Sequence, residues 1–256
     1  MIKRVLLTIA TTIAVLGLCT GYFYHTGKYE RDHRNSFVCK AVNVAVRDSV
    51  HNRIITSVAI KEILGGSYIG MPLDSINLNE IELKLNAMGE ILSSEAYVTD
   101  KSLEIFVDPR TAAVRFITER GHQFYCDATG YIFPVNSSVN TPVVTGKIPL
   151  RCGSDFKGYS NDRRERTWLD GILKLTSYIE KDRYWRELTS HLDINENGEI
   201  VLYPAYGNIH FLWGKPEDTE KKFEKAELWY KAIAPLEKAA KYTEVDLKYD
   251  NQIICR

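Results

Sequence analysis

Apolar and polar positions between residues 37 and 109 alternate first with the period of a strand and then recur with the period of a helix. They predict strands over residues 38–46, 90–98 and 103–107, helices over residues 55–64 and 79–88, and a turn over residues 70–72. Asn79 and Glu82 have the spacing of a capping box and mark the start of the second helix. The β-α-α-β-β order predicts a small sheet of three strands with both helices on one face.

From residue 110 onward the pattern changes to short alternating segments. It predicts strands over residues 112–118, 122–127, 131–135, 141–145, 188–194, 199–203, 208–213 and 243–249, then a short segment over 253–256. One helix starts near Asn161 and Asp162, and another lies between Pro216 and Pro235. The first has apolar residues at helical spacing: Trp168, Ile172, Leu175 and Ile179. Asn197-Gly198 predicts a hairpin turn. The whole pattern predicts an α+β fold that ends in a β-rich domain of antiparallel sheet with flanking helices.

The most apolar part of the chain, residues 5–24, contains no charged residue. As a helix it reaches about 30 Å, the thickness of a hydrocarbon core. Basic residues precede it and aromatic residues end it, which is typical of a span whose N-terminus stays in the cytoplasm. These residues are Lys3, Arg4, Tyr22, Phe23 and Tyr24. We therefore predict cytoplasmic residues 1–4, a transmembrane helix over 5–24, and a polar tether without regular structure over 25–36.

Two other N-terminal signals compete with this span. A cleaved signal peptide has a shorter apolar run, of roughly 7 to 15 residues, and a small-x-small cleavage site, which is not clear here. A lipoprotein anchored at Cys19 needs a small residue before the cysteine, where this chain has Leu18. The transmembrane helix is the favoured interpretation.

The charge balance argues against a nucleic-acid-binding protein, and the cysteine content leaves the disulfide state open. The chain has 33 basic and 33 acidic residues, so it lacks the basic excess typical of nucleic-acid-binding proteins. Beyond the predicted anchor lie Cys39, Cys126, Cys152 and Cys255, in a compartment where disulfides persist. They allow three complete pairings that spacing does not rank, and free thiols buried in a core fit the pattern equally well.

Candidate catalytic, cofactor-binding and metal-ligating residues are few. The chain contains no phosphate-binding loop, nucleophile elbow, paired-histidine zinc motif or calcium loop, and we predict no enzyme activity, cofactor or metal. His122 and Cys126 have a ligand spacing for a helix, whereas the surrounding pattern predicts a strand. His191 and His210 are expected on the outer faces of strands.

Several charged residues have structural interpretations. Asp127 and Asp193 stand beside turns, where carboxylates commonly accept hydrogen bonds from backbone amides. Arg163, Arg164 and Arg166 form a basic group that could contact anionic lipid or a partner, although a solvated first helical turn is the default interpretation.

The strand predicted over residues 243–249 follows strands that hairpins already pair. A strand added last often lies at a sheet edge, where unpaired N–H and C=O groups can accept a strand from another chain. Completion of the core fits the same pattern.

The order of these parts resembles the FtsQ/DivIB family of bacterial cell-division proteins, in which an anchor precedes a POTRA domain and a β domain. The motifs that carry the resemblance are Tyr125-Cys126-Asp127 with Gly130 and Pro134, Thr141 to Gly146, Ile200 to Pro204, Phe211 to Gly214, and Val245 to Tyr249. The ending Asn251 to Cys255 resembles the Bacteroidetes branch of the family. The resemblance places a POTRA domain at residues 37–109 and the β domain at residues 110–256.

Two positions depart from the family pattern. The glycine that often follows the first POTRA strand is absent, and the entry to the β domain has Arg110-Thr111-Ala112 where a basic-Pro-Val sequence is usual. These departures affect local motifs more than the order of elements.

The resemblance implies a non-enzymatic divisome scaffold of the inner membrane, with a single span, a periplasmic C-terminal region and a place at the division septum. It implies recruitment or regulation of FtsB-like and FtsL-like membrane proteins by addition of a partner strand to the terminal strand. The corresponding residues are Val245, Asp246, Leu247, Lys248, Tyr249, Ile253 and Ile254. The second POTRA helix and the strand after it would offer a separate surface, and no nucleic acid or small-molecule substrate is implied.

Two other functions stay open. A POTRA-containing assembly or secretion factor usually has several POTRA units and many barrel strands, which this chain lacks. A membrane-tethered periplasmic enzyme would need a pocket with perturbed carboxylates.

Overall fold

The computed structural model describes residues 2–47, 54–66, 68–134, 139–153 and 155–256, without the side chains of residues 2–11 and 30–36. The chain divides into two compact units. The first carries the N-terminal helix and most of a small sheet, and the second carries residues 46–47, 54–56 and 86–93 and the described chain from residue 108 onward. Val135, the last residue of a predicted strand, lies outside the described residues.

Helix α1 runs over Ile2–Ser36. It continues through residues 25–36, where the sequence predicted no regular structure. Extending a helix adds one hydrogen bond for each residue fixed, whereas starting one requires a costly nucleus, so a polar segment can continue a helix that it would not start. Among the side chains that are described, no helix has the length and apolar character needed to cross a membrane. Side chains 5–11 of the predicted span lie outside that set.

The sheet of the first unit has three strands in the order β1-β3-β2. Its elements are β1 (Ala41–Val46), α2 (Ser57–Leu64), α3 (Leu78–Asn86), β2 (Ile91–Val98) and β3 (Ser102–Pro109), with a short 3-10 turn at Leu73–Ser75. Buried apolar residues come from both helices and from the strands: Ile60, Leu64, Ile81, Leu85, Leu103, Ile105 and Val107. This order of elements confirms the predicted β-α-α-β-β arrangement.

The cap of α3 differs from the prediction. The side chain of Asn77, not Asn79, accepts a hydrogen bond from the Glu80 N–H at 3.1 Å, and the Asn77 amide donates to the Glu80 carboxylate at 3.4 Å. Glu82 instead accepts the Ala96 N–H at 2.7 Å. The capping interaction is therefore present two residues earlier than predicted.

The sheet of the second unit has nine strands in the order β12-β11-β10-β9-β8-β7-β4-β5-β6. They are β4 (Ala112–Thr118), β5 (Gln123–Asp127), β6 (Ile132–Pro134), β7 (Val143–Gly146), β8 (Thr189–Ile194), β9 (Ile200–Pro204), β10 (His210–Gly214), β11 (Glu244–Asp246) and β12 (Ile254–Cys255).

This sheet is mixed, whereas the sequence predicted an antiparallel one. Strand β7 is parallel to both β4 and β8, and β11 is parallel to β10. Helical segments connect β7 to β8 and β10 to β11. Such crossovers return the chain in the same direction and so produce parallel neighbours.

The helices of the second unit are α4 (Arg163–Lys181), α5 (Arg183–Leu188) and α6 (Thr219–Leu228), followed by a π-helical turn at Trp229–Ile233 and a 3-10 turn at Glu237–Lys241. Their inner faces share one core with the sheet: Leu169, Ile172, Leu175, Ile179, Trp185 and Phe223. The predicted packing of α4 on the sheet is confirmed, with Trp168 partly buried beside this core.

Carboxylate caps set the starts of α4 and α5. Asp162 accepts the Arg164 N–H at 2.7 Å, and this backbone hydrogen bond lowers the pKa of Asp162. Asp182 accepts the Tyr184 N–H at 2.8 Å and so starts α5, which the sequence did not predict. Trp185, fully buried, ties α5 to the core.

Asp127 organises the turn after β5. Its Oδ1 accepts hydrogen bonds from Thr129 N at 2.8 Å, Thr129 Oγ1 at 2.6 Å and Tyr131 N at 3.0 Å. Its Oδ2 accepts a bond from Arg110 Nη1 at 2.8 Å, and the Arg110 guanidinium lies 3.6 Å from the centroid of the Tyr131 ring. The predicted structural role of Asp127 is confirmed.

The corresponding expectation for Asp193 is wrong. Asp193 Oδ1 accepts the Thr145 hydroxyl at 2.5 Å, which joins β8 to β7. The amides of the hairpin turn donate instead to Asn195 Oδ1, from Asn197 N and Glu199 N at 2.9 Å each. Asn195 stands one residue beyond β8 and is therefore closer to the turn.

Candidate partner-binding edge

The nine-stranded sheet ends in the edge strands β6 and β12. Beside β6, Ile132 exchanges two main-chain hydrogen bonds of 2.9 Å with Gly158, and Pro134 has no N–H to donate. No strand within the described residues pairs with the outer side of β12. The β12 edge is therefore the one that presents main-chain groups to another chain.

The ladder between β11 and β12 identifies which residue faces outward. Glu244 and Arg256 exchange hydrogen bonds of 3.1 and 3.0 Å, and Val245 lies opposite Cys255. Hydrogen-bonded pairs alternate with pairs that exchange no bonds in antiparallel strands. The N–H and C=O of Cys255 therefore point away from β11, toward the open edge.

The structure distributes the predicted partner-binding residues over three segments. Val245 and Asp246 belong to β11, and Ile253 and Ile254 lie at the start of β12. The residues between them lie in the connection that joins the two strands: Leu247, Lys248 and Tyr249. Strand β11 lies between β10 and β12, so the expectation that the strand over 243–249 forms the sheet edge is wrong.

The predicted strand is also shorter than expected because Asp246 ends it. Asp246 is buried, and its Oδ1 accepts the Lys248 N–H at 3.0 Å. A carboxylate that bonds the backbone two residues on forms an Asx-type turn. Val245 and Leu247 are fully buried, whereas Tyr249 is 46% exposed.

A lysine from α6 holds the connection between β11 and β12. Lys225 Nζ donates hydrogen bonds to the carbonyl oxygens of Leu247 and Tyr249, the latter at 2.8 Å. Asn251 then adopts φ 58° and turns the chain back toward β12. Main-chain acceptors in this connection are thus occupied from within the chain.

The two faces of the β12 edge differ in chemistry. Ile253 and Cys255 pack against the core on the inner face, and burial raises the pKa of the Cys255 thiol. On the outer face, Arg256 Nη1 lies 4.0 Å from Glu244 Oε2, and Glu244 Oε1 lies 3.7 Å from His210 Nε2. A partner strand at this edge would meet an apolar inner row and a charged outer row.

An aromatic ladder continues this outer row across the sheet. The ring centroids of His191 and Tyr203 are 4.8 Å apart, and those of Tyr203 and His210 are 5.4 Å apart. The neighbouring residues Leu192 and Phe211 point into the core. The predicted position of His191 and His210 on the outer face is therefore confirmed.

The other candidate residues concern metal binding and thiol chemistry. Among the described residues, no group of three or more His, Cys, Asp or Glu side chains could hold a metal ion. All five cysteines have free thiols. Burial raises the pKa of Cys126, which lies in the core, and raises the pKa of Cys152 to about 11, so neither is an activated nucleophile.

The basic group at the start of α4 borders an open groove along that helix. Arg163 and Arg164 line the groove together with acidic residues, among them Asp170 and Glu217. Arg166 Nη1 donates to the Ser160 carbonyl at 2.7 Å. This groove therefore carries charges of both signs.

The sequence alone does not mark Lys225 or Cys255 as residues of the edge. Lys225 lies in a helix with many lysines, and its spacing does not distinguish it from Lys221 or Lys222. Cys255 lies in a segment of four residues, which is too short to show a strand period. The order β11-β12 was therefore visible only in the folded chain.

Two family models match this chain. The model described as FtsQ/DivIB, C-terminal related, matches residues 111–256, more than half of the chain, and a POTRA-like domain matches residues 37–108. No curated protein matches the chain. The domains suggest a cell-division scaffold, and family membership implies a membrane protein of the division site. The chain belongs to the FtsQ/DivIB family and carries a POTRA-like domain.

Proposed function

We propose that this protein is a non-enzymatic divisome scaffold that captures FtsB-like and FtsL-like membrane proteins by adding a partner strand to β12. The observation that carries the proposal is the contrast between the two sheet edges. Gly158 covers β6, whereas the main-chain groups of Cys255 face outward on β12. Strand addition uses such groups for affinity and neighbouring side chains for specificity.

The partner segment would align with residues 253–256. Its main-chain groups would bond the N–H and C=O of Cys255, and an apolar side chain on its inner face would cover Ile253 and Cys255. On the outer face an acidic residue would meet Arg256, whose side chain is 58% exposed. Val245, Asp246 and Leu247 would support this edge from inside the sheet.

The N-terminal region would keep this edge beside the membrane. We propose that residues 5–24 span the inner membrane once, with residues 1–4 in the cytoplasm and the rest in the periplasm. Confinement to the membrane plane would let the scaffold meet single-span partners in two dimensions. The second POTRA helix, α3, and strand β2 would offer a separate surface to other division proteins, with Leu83 exposed on α3.

Depletion of the protein in its source bacterium, combined with affinity capture, tests this function. Depletion should produce filaments without septa, and the tagged full-length protein should retain FtsB-like and FtsL-like proteins from solubilised membranes. Variant C255A keeps the edge N–H and should retain both partners. Normal septation after depletion would contradict the role in division, and failure of the folded wild-type protein to retain either partner would contradict strand capture.

A further inference from the structure

Strand β11 ends at Asp246, opposite Leu212, although its parallel neighbour β10 continues to Gly214. The Leu247 N–H donates to the Leu212 carbonyl at 3.0 Å, so the main chain at Leu247 faces β10. Because β11 ends at Asp246 and the Asp246 carboxylate turns the chain there, the chain that follows Leu247 leaves the ladder with β10. The carbonyls of Leu247 and Tyr249 need donors from another element.

Lys225 is that donor. It lies on α6, and its ammonium bonds both carbonyls, at 2.8 Å for Tyr249. An ammonium carries three donors and can bridge two acceptors, and hydrogen bonds from charged donors are the stronger class. The half-buried lysine thus supplies donors where the ladder has ended, and it joins α6 to the connection between β11 and β12.

The neighbouring lysines have other roles. Lys222, one turn earlier in α6, donates to the Lys215 carbonyl at 2.9 Å and lies 5.8 Å from the centroid of the Trp213 ring. Lys221 is exposed. Only the side chain of Lys225 among these three bonds the segment that leads to β12.

We propose that Lys225 is a positioning residue that holds β12 at the partner-binding edge, an inference that rests on the proposed capture of a partner strand. Strand β12 has two residues, and so short a strand has few ladder bonds to fix its place. The bonds from Lys225 fix where the connection leaves the sheet. The turn at Asn251 then delivers Cys255 in register with Val245.

The first test compares binding of the FtsB-like partner to full-length variants K225M, K225R and K221M. K225M keeps the aliphatic stem but loses the donors, so its affinity should fall about tenfold, the low end for a hydrogen bond to a charged group. K225R keeps donors and should bind within about threefold of wild type, and K221M should bind like wild type. Equal binding by a folded K225M, or equal losses in K225M and K225R, would overturn the proposal.

Amide hydrogen exchange in the free protein separates this inference from the proposed function. K225M should increase exchange about tenfold at the Ile254 and Arg256 amides, which face β11, and leave the buried strand β9 unchanged, because opening would be local to the edge. Unchanged exchange at the Ile254 and Arg256 amides would overturn the role of Lys225. Increased exchange there would support that role even if the wild-type protein bound no partner, a result that would contradict strand capture alone.

Discussion

Replacing Arg110 with methionine should destabilise the second unit strongly. The Arg110 and Asp127 side chains are only 12% and 10% exposed, and their charged atoms are 2.8 Å apart. Methionine removes the cation and leaves a buried carboxylate oxygen, Oδ2, without its partner. Arg110 Nε also donates to the Gly89 carbonyl at 3.0 Å, and this bond would be lost as well.

The size of this destabilisation depends on the hydrogen bonds that Asp127 keeps. Removing one partner of a buried ion pair typically costs about 3–5 kcal/mol. The three donors from Thr129 and Tyr131 to Oδ1 remain, which favours the lower end. Loss of the contact with the Tyr131 ring adds about 0.5–1 kcal/mol. We expect R110M to lower the free energy of unfolding by about 3–4 kcal/mol.

Urea unfolding followed by tryptophan fluorescence measures this change selectively. All four tryptophans lie in the second unit, at residues 168, 185, 213 and 229. R183M is the matched control, because Arg183 and Glu187 are also 2.8 Å apart but are 83% and 64% exposed. It should cost no more than about 0.5 kcal/mol. Similar losses in R110M and R183M would refute the argument from burial.

Three further predictions concern packing, capping and thiol chemistry. G171A should destabilise the second unit by about 1–3 kcal/mol through overpacking, because a Cβ at residue 171 would lie 2.6 Å from a backbone oxygen. The control G153A places its Cβ in open space and should leave the tryptophan-detected unfolding curve unchanged. N77A should speed amide exchange in α3, consistent with a lost cap worth about 1 kcal/mol, whereas N79A should not. Faster exchange in N79A than in N77A would contradict the observed cap. Burial raises the pKa of Cys152 to about 11. The rate of its alkylation should therefore increase about tenfold per pH unit from pH 8 to 10, as the thiolate fraction grows. A rate that reaches a plateau near pH 9 would contradict that burial.

The elements with strong periodicity could be predicted from the sequence. Strand β4 has the predicted bounds, and the Asn197-Gly198 turn joins β8 to β9 as expected. Helix α5 has six residues, too few to show a helical period. The cap of α3 could not be assigned because Asn77 with Glu80 and Asn79 with Glu82 have identical spacing.

The edge of the second sheet could not be predicted from the sequence, for a different reason. Alternation identifies a strand but not its neighbours, so the apolar pattern of Val245 and Leu247 fits an inner strand as well as an outer one. The Asx-type turn of Asp246 and the bonds from Lys225 depend on residues that folding brings together. Local periodicity carries no signal for either contact.

Removing the outward N–H of Cys255 tests strand capture most directly. Variant C255P removes the outward N–H, whereas C255A keeps it and changes only the side chain. With the full-length chain and the FtsB-like partner, C255A should bind within about threefold of wild type. C255P should lose at least tenfold in affinity, consistent with an unmade interface hydrogen bond of about 1–3 kcal/mol. Its tryptophan-detected stability should match that of C255A. Equal affinity of the two folded variants would contradict strand addition at β12.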